Sequence, residues 1–134
     1  QMIVYRDADS ELGQYENVEW AELPRDAVVR ALLDAVIATG RFADAGLATN
    51  MTQPNLILTG QLRKFDLDRT SKPWKAICEV RLELRETFGT ALLYGETLTA
   101  TQPLAENEIA ALPPAMSAAV SQVIRKAATE IASK

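Results

Sequence analysis

The sequence predicts an α+β fold: a small, mostly antiparallel sheet with two helices packed on one face, in the order β-α-β-β-β-α. Apolar residues recur every three or four positions in two segments, 24–39 and 113–131, which is typical of helices with one buried side. Between them, apolar and polar residues alternate over much of 56–100, which is typical of strands with one wet face. Because 134 residues suffice for one core, we assign residues 1–134 to a single domain.

The first strand and first helix have clear boundaries. Met2–Tyr5 is a short apolar run that ends in a polar string, so it predicts a brief buried strand. Pro24 suits the first turn of a helix over Pro24–Thr39, and Gly40 can adopt the left-handed conformation that ends it. The apolar stripe of this helix comprises Val28, Ala31, Leu32, Ala35 and Val36.

Three strands follow a predicted loop at Asp44–Asn55. The first alternates from Leu56 and changes phase before Phe65, which predicts a bulge near Arg63–Lys64. The second shows the clearest alternation, over residues 75–85, and only Ile77 interrupts its polar face. After a turn at 88–90, the third carries Leu92, Tyr94, Leu98 and Ala100.

A second helix is predicted to close the domain. Pro113 and Pro114 are compatible with a first turn but not with a helix interior, so the helix should begin there, after a short turn or loop at Glu106–Leu112. Its apolar stripe comprises Met116, Ala119, Val120, Val123, Ala127 and Ile131.

Composition excludes several classes of function. The chain has no histidine, which removes Ser-His-Asp and Cys-His catalysis and imidazole metal sites. Asp and Glu outnumber Lys and Arg 18 to 14, and no basic run occurs, so a nucleic-acid partner is not expected. Cys78 is in phase with the apolar face of its strand, and we interpret it as a buried core thiol.

No motif predicts a metal or a cofactor. Asp7, Asp9 and Glu11 resemble the start of a calcium loop, but Gly13 falls one place late and Val18 stands where the bidentate acid is required. The glycine spacing matches no phosphate-binding loop.

Asp66 and Asp68 lie two apart at a predicted strand end, so their side chains could share a face as a carboxylate pair for acid–base work. We interpret the two side chains as solvated charges at the end of a strand. An enzyme that uses them is the hypothesis we rank last.

Three aromatic residues lie outside the apolar pattern: Tyr15, Trp20 and Trp74. Aromatic residues in loops often pack over a sheet edge or a helix end, and we favour this structural interpretation for all three. Alternatively they anchor a partner protein, because Trp and Tyr supply much of the binding energy in interfaces. The nearby cations Arg69, Lys72 and Lys75 would add attraction to an anionic partner.

Several segments together resemble a known family. They are Ile3-Val4-Tyr5-Arg6, Tyr15, Trp20-Ala21-Glu22-Leu23-Pro24, the helix end Gly40-Arg41-Phe42, and Leu56-x-Leu58-x-Gly60-x-Leu62-x-x-Phe65. The chain is similar over nearly its whole length to the ABC-type transport auxiliary lipoproteins, the group that includes the paraquat-inducible protein C type.

This resemblance implies a non-enzymatic protein of the periplasm that a lipid anchor tethers to a membrane, commonly the outer membrane. It implies a fold similar to the amino-terminal domain of TolB. The implied partners are a mammalian-cell-entry-type substrate-binding subunit, an ABC permease complex that moves lipids or other hydrophobic substrates, and further copies of the chain. We expect the signal, the lipidated cysteine and the first strand of such proteins to be missing from residues 1–134.

Two hypotheses about function follow. In the first, the domain acts through protein–protein contacts at Tyr15, Trp20 and Trp74. In the second, it is a carrier module that holds a lipid or another hydrophobic ligand between the sheet and the second helix. There, four small residues could leave space, and close helix–sheet packing would explain them equally well: Ala118, Ala119, Ala127 and Ala128.

Overall fold

The computed structural model describes residues 2–7, 24–42, 44–47, 56–70, 72–88 and 91–134. The chain forms, in order, β1 (Met2–Asp7), α1 (Pro24–Ala38), β2 (Asp44–Leu47), β3 (Leu56–Asp68), β4 (Lys75–Glu86), β5 (Leu92–Pro103), a short 3-10 helix (Ile109–Ala111) and α2 (Leu112–Ala132). The predicted α+β fold is confirmed, with one strand more than expected.

The strands form one sheet in the order β2-β1-β3-β4-β5. β3, β4 and β5 are an antiparallel meander, whereas β1 is parallel to both of its neighbours. The register of β3 against β4 shifts between Leu62 and Lys64, which confirms the predicted bulge. The bulge brings Phe65 onto the same buried face as Leu62.

The prediction of a loop throughout Asp44–Asn55 is wrong at its start. Asp44–Leu47 is β2, an edge strand that pairs in parallel with β1 from Met2 to Tyr5. The segment contains Gly46 and has weak intrinsic preference for a strand. Its conformation follows from the backbone hydrogen bonds that the edge of β1 provides, which local sequence does not reveal.

α1 and α2 pack against each other, while α2 also covers β4 and β5. Every second residue of β4 from Ala76 to Leu84 is buried, and the residues between them are half-buried. The uncovered face carries polar contacts such as the Arg81–Glu83 ion pair at 3.5 Å. One buried and one wet sheet face were therefore predicted correctly, including the half-buried Ile77 on the wet side.

The helix boundaries agree with the sequence signals. α1 ends at Ala38, and Gly40 has a φ of +70°, the left-handed conformation predicted for it. α2 begins at Leu112, so that Pro113 lies in its first turn. Both predicted apolar stripes are part of the common core, to which α1 adds Val29 and α2 adds Ile124.

The buried side of α2 includes several alanines. Ala119 and Ala127 have no exposed surface, and Ala128 is 6% exposed. Their small side chains bring the helix backbone close to its neighbours, so they leave no room for a ligand. The expected space beside these alanines is absent, and Ala118 is exposed on the opposite side of the helix.

Enlarging a buried alanine should destabilise this packing. We expect Ala127→Leu to lower the free energy of unfolding by about 1–3 kcal/mol, because added methyl groups in a filled core force backbone or rotamer shifts. The matched control Ala118→Leu should change it by no more than about 0.5 kcal/mol. Urea unfolding of both variants measures the difference, and equal stability would contradict close packing at Ala127.

Candidate protein-contact site at Trp74

Trp74 lies directly before β4, at the end of the sheet where β3 finishes. The connection between β5 and α2 holds the Trp74 backbone at both its N–H and its carbonyl. Its N–H donates to Asn107 Oδ1 at 2.9 Å, and its carbonyl accepts from the Leu104 N–H at 2.8 Å. These bonds hold the Trp74 backbone beside the loop that leads into α2.

One side of the indole contacts the core, and the side chain is half-buried. The guanidinium carbon of Arg69 lies 4.9 Å from the ring centroid, which is a cation–π arrangement. The preferred structural reading of Trp74 is thus consistent with its packing. The remaining indole surface and the Arg69 side chain still offer an aromatic and cationic contact to a partner.

The charges around Trp74 have both signs. Arg69 and Lys72 are exposed and Lys75 is half-buried, but Glu106 and Glu108 are exposed on the loop that contacts Trp74 through Asn107. A hydrogen bond between these two glutamates, together with their mutual repulsion, raises the pKa of Glu108. The attraction to an anionic partner expected from the three cations is therefore offset locally.

Asn107 is the residue of this site that sequence reasoning missed. It is 33 positions from Trp74, and an asparagine in a polar loop has no distinguishing pattern. Only the tertiary contact between two loops identifies it.

The carboxylate pair Asp66 and Asp68 lies at the end of β3, where Asp68 bonds to the chain that follows it. Asp68 Oδ1 accepts hydrogen bonds from the Thr70 hydroxyl at 2.6 Å and from the Thr70 N–H at 2.9 Å. These bonds lower the pKa of Asp68, so it is a carboxylate at neutral pH. Asp66 is exposed beside Ile77 in the β3–β4 register. A proton donor role for Asp68 is disfavoured by this geometry, in agreement with the interpretation as solvated charges.

Cys78 has no exposed surface and lies within the core, as predicted. Burial raises the pKa of its thiol to about 12, so the reactive thiolate is disfavoured.

An apolar groove lies elsewhere, between the first halves of α1 and α2. Its volume is about 370 Å³, within the general range of small-ligand sites. Val28, Phe65 and Met116 are its buried residues, whereas Arg30 and Ser117 are exposed. It is lined by two helices and one strand residue, whereas the carrier hypothesis placed its ligand between the sheet and the second helix.

Two of the three aromatic candidates, Tyr15 and Trp20, fall outside the described residues, as do Asp9, Glu11 and Gly13 of the calcium-like loop. Their predicted roles stay predictions. Within the described ranges, no helix is long and apolar enough to cross a membrane.

Comparison with known proteins adds a family to this geometry. The family model of the ABC-type transport auxiliary lipoprotein component matches residues 1–128. There is no significant match among curated proteins.

Several solved structures share the fold. Protein XCC0632 from Xanthomonas campestris is similar with a TM-score of 0.80 and 18% identity, over 99% of this chain and 85% of that one. The PelC dodecamer from Paraburkholderia phytofirmans has a TM-score of 0.61 and 15% identity, over 93% and 81% of the two chains. Lipoprotein GNA1162 from Neisseria meningitidis has a TM-score of 0.51 and 10% identity, over 91% and 95%.

The buried thiol should make stability sensitive to alkaline pH. In the folded protein the pKa of the Cys78 thiol is about 12, whereas in the unfolded chain the thiol has its ordinary pKa of 9.0. The unfolded state therefore gains stability as pH rises above 9, and the free energy of unfolding should fall by about 1 kcal/mol between pH 8 and 10.

Urea unfolding at each pH measures this slope, with Cys78→Ala as the control. The variant loses some packing at every pH, but it lacks the thiol. Its free energy of unfolding should therefore fall by about 1 kcal/mol less than that of the parent protein between pH 8 and 10. Parallel pH profiles for the two proteins would show that Cys78 does not titrate as its burial requires.

Proposed function

Because the chain belongs to the family of ABC-type transport auxiliary lipoprotein components, we propose that it is a non-enzymatic accessory domain that acts through protein–protein contacts. A lipid anchor would hold it at a membrane, on the periplasmic side and at the outer membrane. Its partners would be a mammalian-cell-entry-type substrate-binding subunit and the ABC permease complex that moves lipids or other hydrophobic molecules. The family match over residues 1–128 carries this proposal.

The geometry at Trp74 supports a contact role at the end of the sheet. The indole packs against the core and Arg69, and the Trp74 backbone is held at two points, so the side chain is restrained before a partner binds. A pre-positioned aromatic side chain loses little conformational freedom on association, which favours binding. Tyr15 and Trp20 remain candidates for the same surface on the strength of the sequence.

Association of several copies is part of the proposal. PelC, which shares the fold at 15% identity, is described as a dodecamer. A ring or other assembly of this chain would multiply weak contacts to a transporter subunit.

The carrier function is the second candidate, and the groove between α1 and α2 favours it. The half-buried apolar side chains of Ala31, Pro113 and Val120 are the surface that an acyl chain would contact. This site differs from the space beside the α2 alanines, which is filled.

The contact hypothesis predicts that Trp74→Ala weakens assembly more than it weakens folding. We expect the recovery of the substrate-binding and permease subunits with the tagged full-length protein to fall roughly tenfold, as for an interface anchor. Quantitative mass spectrometry of the purified complex measures recovery, and thermal unfolding of each variant measures folding. Tyr15→Ala and Trp20→Ala are tested in parallel.

Two variants separate binding from packing at Trp74. Trp74→Phe keeps an aromatic ring against the core, and Lys126→Ala changes an exposed residue of α2 away from this loop. Normal recovery with Trp74→Ala, together with a lowered unfolding temperature, would show that the indole is purely structural.

The contact and carrier hypotheses differ in what the protein retains. Native mass spectrometry of the protein purified gently from its host should show a lipid-free oligomer if the domain acts as an assembly component. A monomer with one retained lipid, lost on Val120→Gln, would instead support the carrier function in the groove, which Val120 lines as a half-buried residue. The conservative change Val120→Leu serves as its control.

A further inference from the structure

Four large hydrophobic side chains are exposed among those that the structure describes. Phe88 is fully exposed at 101%, and Ile37, Leu92 and Leu93 are 49%, 45% and 36% exposed. They belong to the end of α1, the turn after β4 and the start of β5. Together these four residues are the apolar end of the domain.

The sheet register brings the β4–β5 residues to the end where β1 begins. Ile3 of β1 pairs with Leu56, and Leu56 pairs with Glu86 on its other side. Glu86 is therefore two strand spacings, or about 10 Å, from Ile3. Phe88 follows Glu86 by two residues, and Leu92 pairs with Arg85 in the adjacent row.

The helix contributes to the same end. β2 starts beside the start of β1, because Asp44 pairs with Met2 in a parallel ladder. α1 ends at Ala38, so only five residues separate it from β2. Ile37 must therefore lie at the end of the domain from which β1 and β2 both start.

The opposite end has a different surface. There, the connection between β3 and β4 exposes Arg69 and Lys72, and the connection between β5 and α2 exposes Glu106 and Glu108. Charged side chains are exposed at the apolar end as well, at Arg85, Glu86 and Lys134. The difference is that the large hydrophobic side chains exposed among the described residues, Phe88 and the two leucines included, all lie at the apolar end.

We propose that the apolar end contacts the membrane surface, with Phe88, Leu92 and Leu93 entering the boundary between headgroups and acyl chains. The inference rests on the proposed lipid anchor, which would attach upstream of β1. A tether that enters at β1 brings this end of the domain to the bilayer first. Phe88 protrudes from a turn and occupies no pocket, so it suits a fluid apolar phase that closes around it.

This orientation also determines which way the other end of the domain faces. Trp74 and the loop that holds it would face away from the bilayer, where a transporter subunit can reach them. Membrane contact and partner contact would then use opposite ends of the same sheet.

The test supplies a tether of its own. The 134-residue chain, with a histidine tag before residue 1, is bound to vesicles of phosphatidylethanolamine and phosphatidylglycerol that contain a nickel-chelating lipid. An environment-sensitive fluorophore is attached at Phe88→Cys or, as the control at the opposite end, at Glu106→Cys. Both positions are exposed, and the fully buried Cys78 does not compete for the label.

Lipids with a nitroxide on the acyl chain then report contact. We expect at least about threefold stronger quenching at position 88 than at position 106, because apolar groups enter about 5–10 Å into the interface. Leu92→Ser combined with Leu93→Ser should reduce the quenching at position 88, since both leucines are exposed and their replacement leaves the core unchanged.

Three results would overturn the proposal. Equal quenching at the two positions would mean that the domain has no preferred orientation, and stronger quenching at position 106 would reverse it. A label at position 88 that is already shielded without vesicles, at high protein concentration, would show that a second copy covers the apolar end. Because the tag replaces the natural anchor and no transporter subunit is present, these results are independent of whether the proposed function holds.

Discussion

The close packing of α2 on β4 and β5 is the interaction on which the rest of the domain depends. A helix can approach a sheet closely only where its side chains are small, and Ala119 and Ala127 provide this without any exposed surface. Larger residues toward both ends of the same stripe, Met116 and Ile131, are buried in the same core. α1 then packs beside α2, which completes a core that contains no buried charged or polar side chain among the described residues.

Because the core is apolar, the polar and aromatic contacts of Trp74 and Tyr94 lie at the two ends of the domain. The Trp74 loop is tied to the entrance of α2 by Asn107, so the position of one determines that of the other. At the far end, Lys134 Nζ lies 5.9 Å from the Tyr94 ring centroid, and the Tyr94 hydroxyl donates to Glu130 at 3.2 Å. Helix α2 therefore extends from the end that carries the Trp74 loop to the apolar end, which is the arrangement that the proposed partner and membrane contacts at opposite ends require.

Local patterns predicted most of the fold because each has a local physical cause. The alternation in β4 reflects one dry and one wet face, and Gly40 ends α1 because it accepts a positive φ. The change of phase before Phe65 predicted the bulge since a strand cannot otherwise return to its face. β2 was missed because its conformation depends on pairing with β1, about 40 residues earlier in the register.

The candidate site was predictable only in part. The sequence by itself determined the α+β class, the boundaries of the long elements, the buried Cys78 and the family, because periodicity and motifs are properties of neighbouring residues. The tertiary structure decided that Asn107 holds Trp74, that the α2 alanines fill space and do not create it, and that Ile37 and Phe88 share one end of the domain. Each of these depends on contacts between residues distant in the chain, and such contacts are set by packing and strand register, which no local pattern encodes.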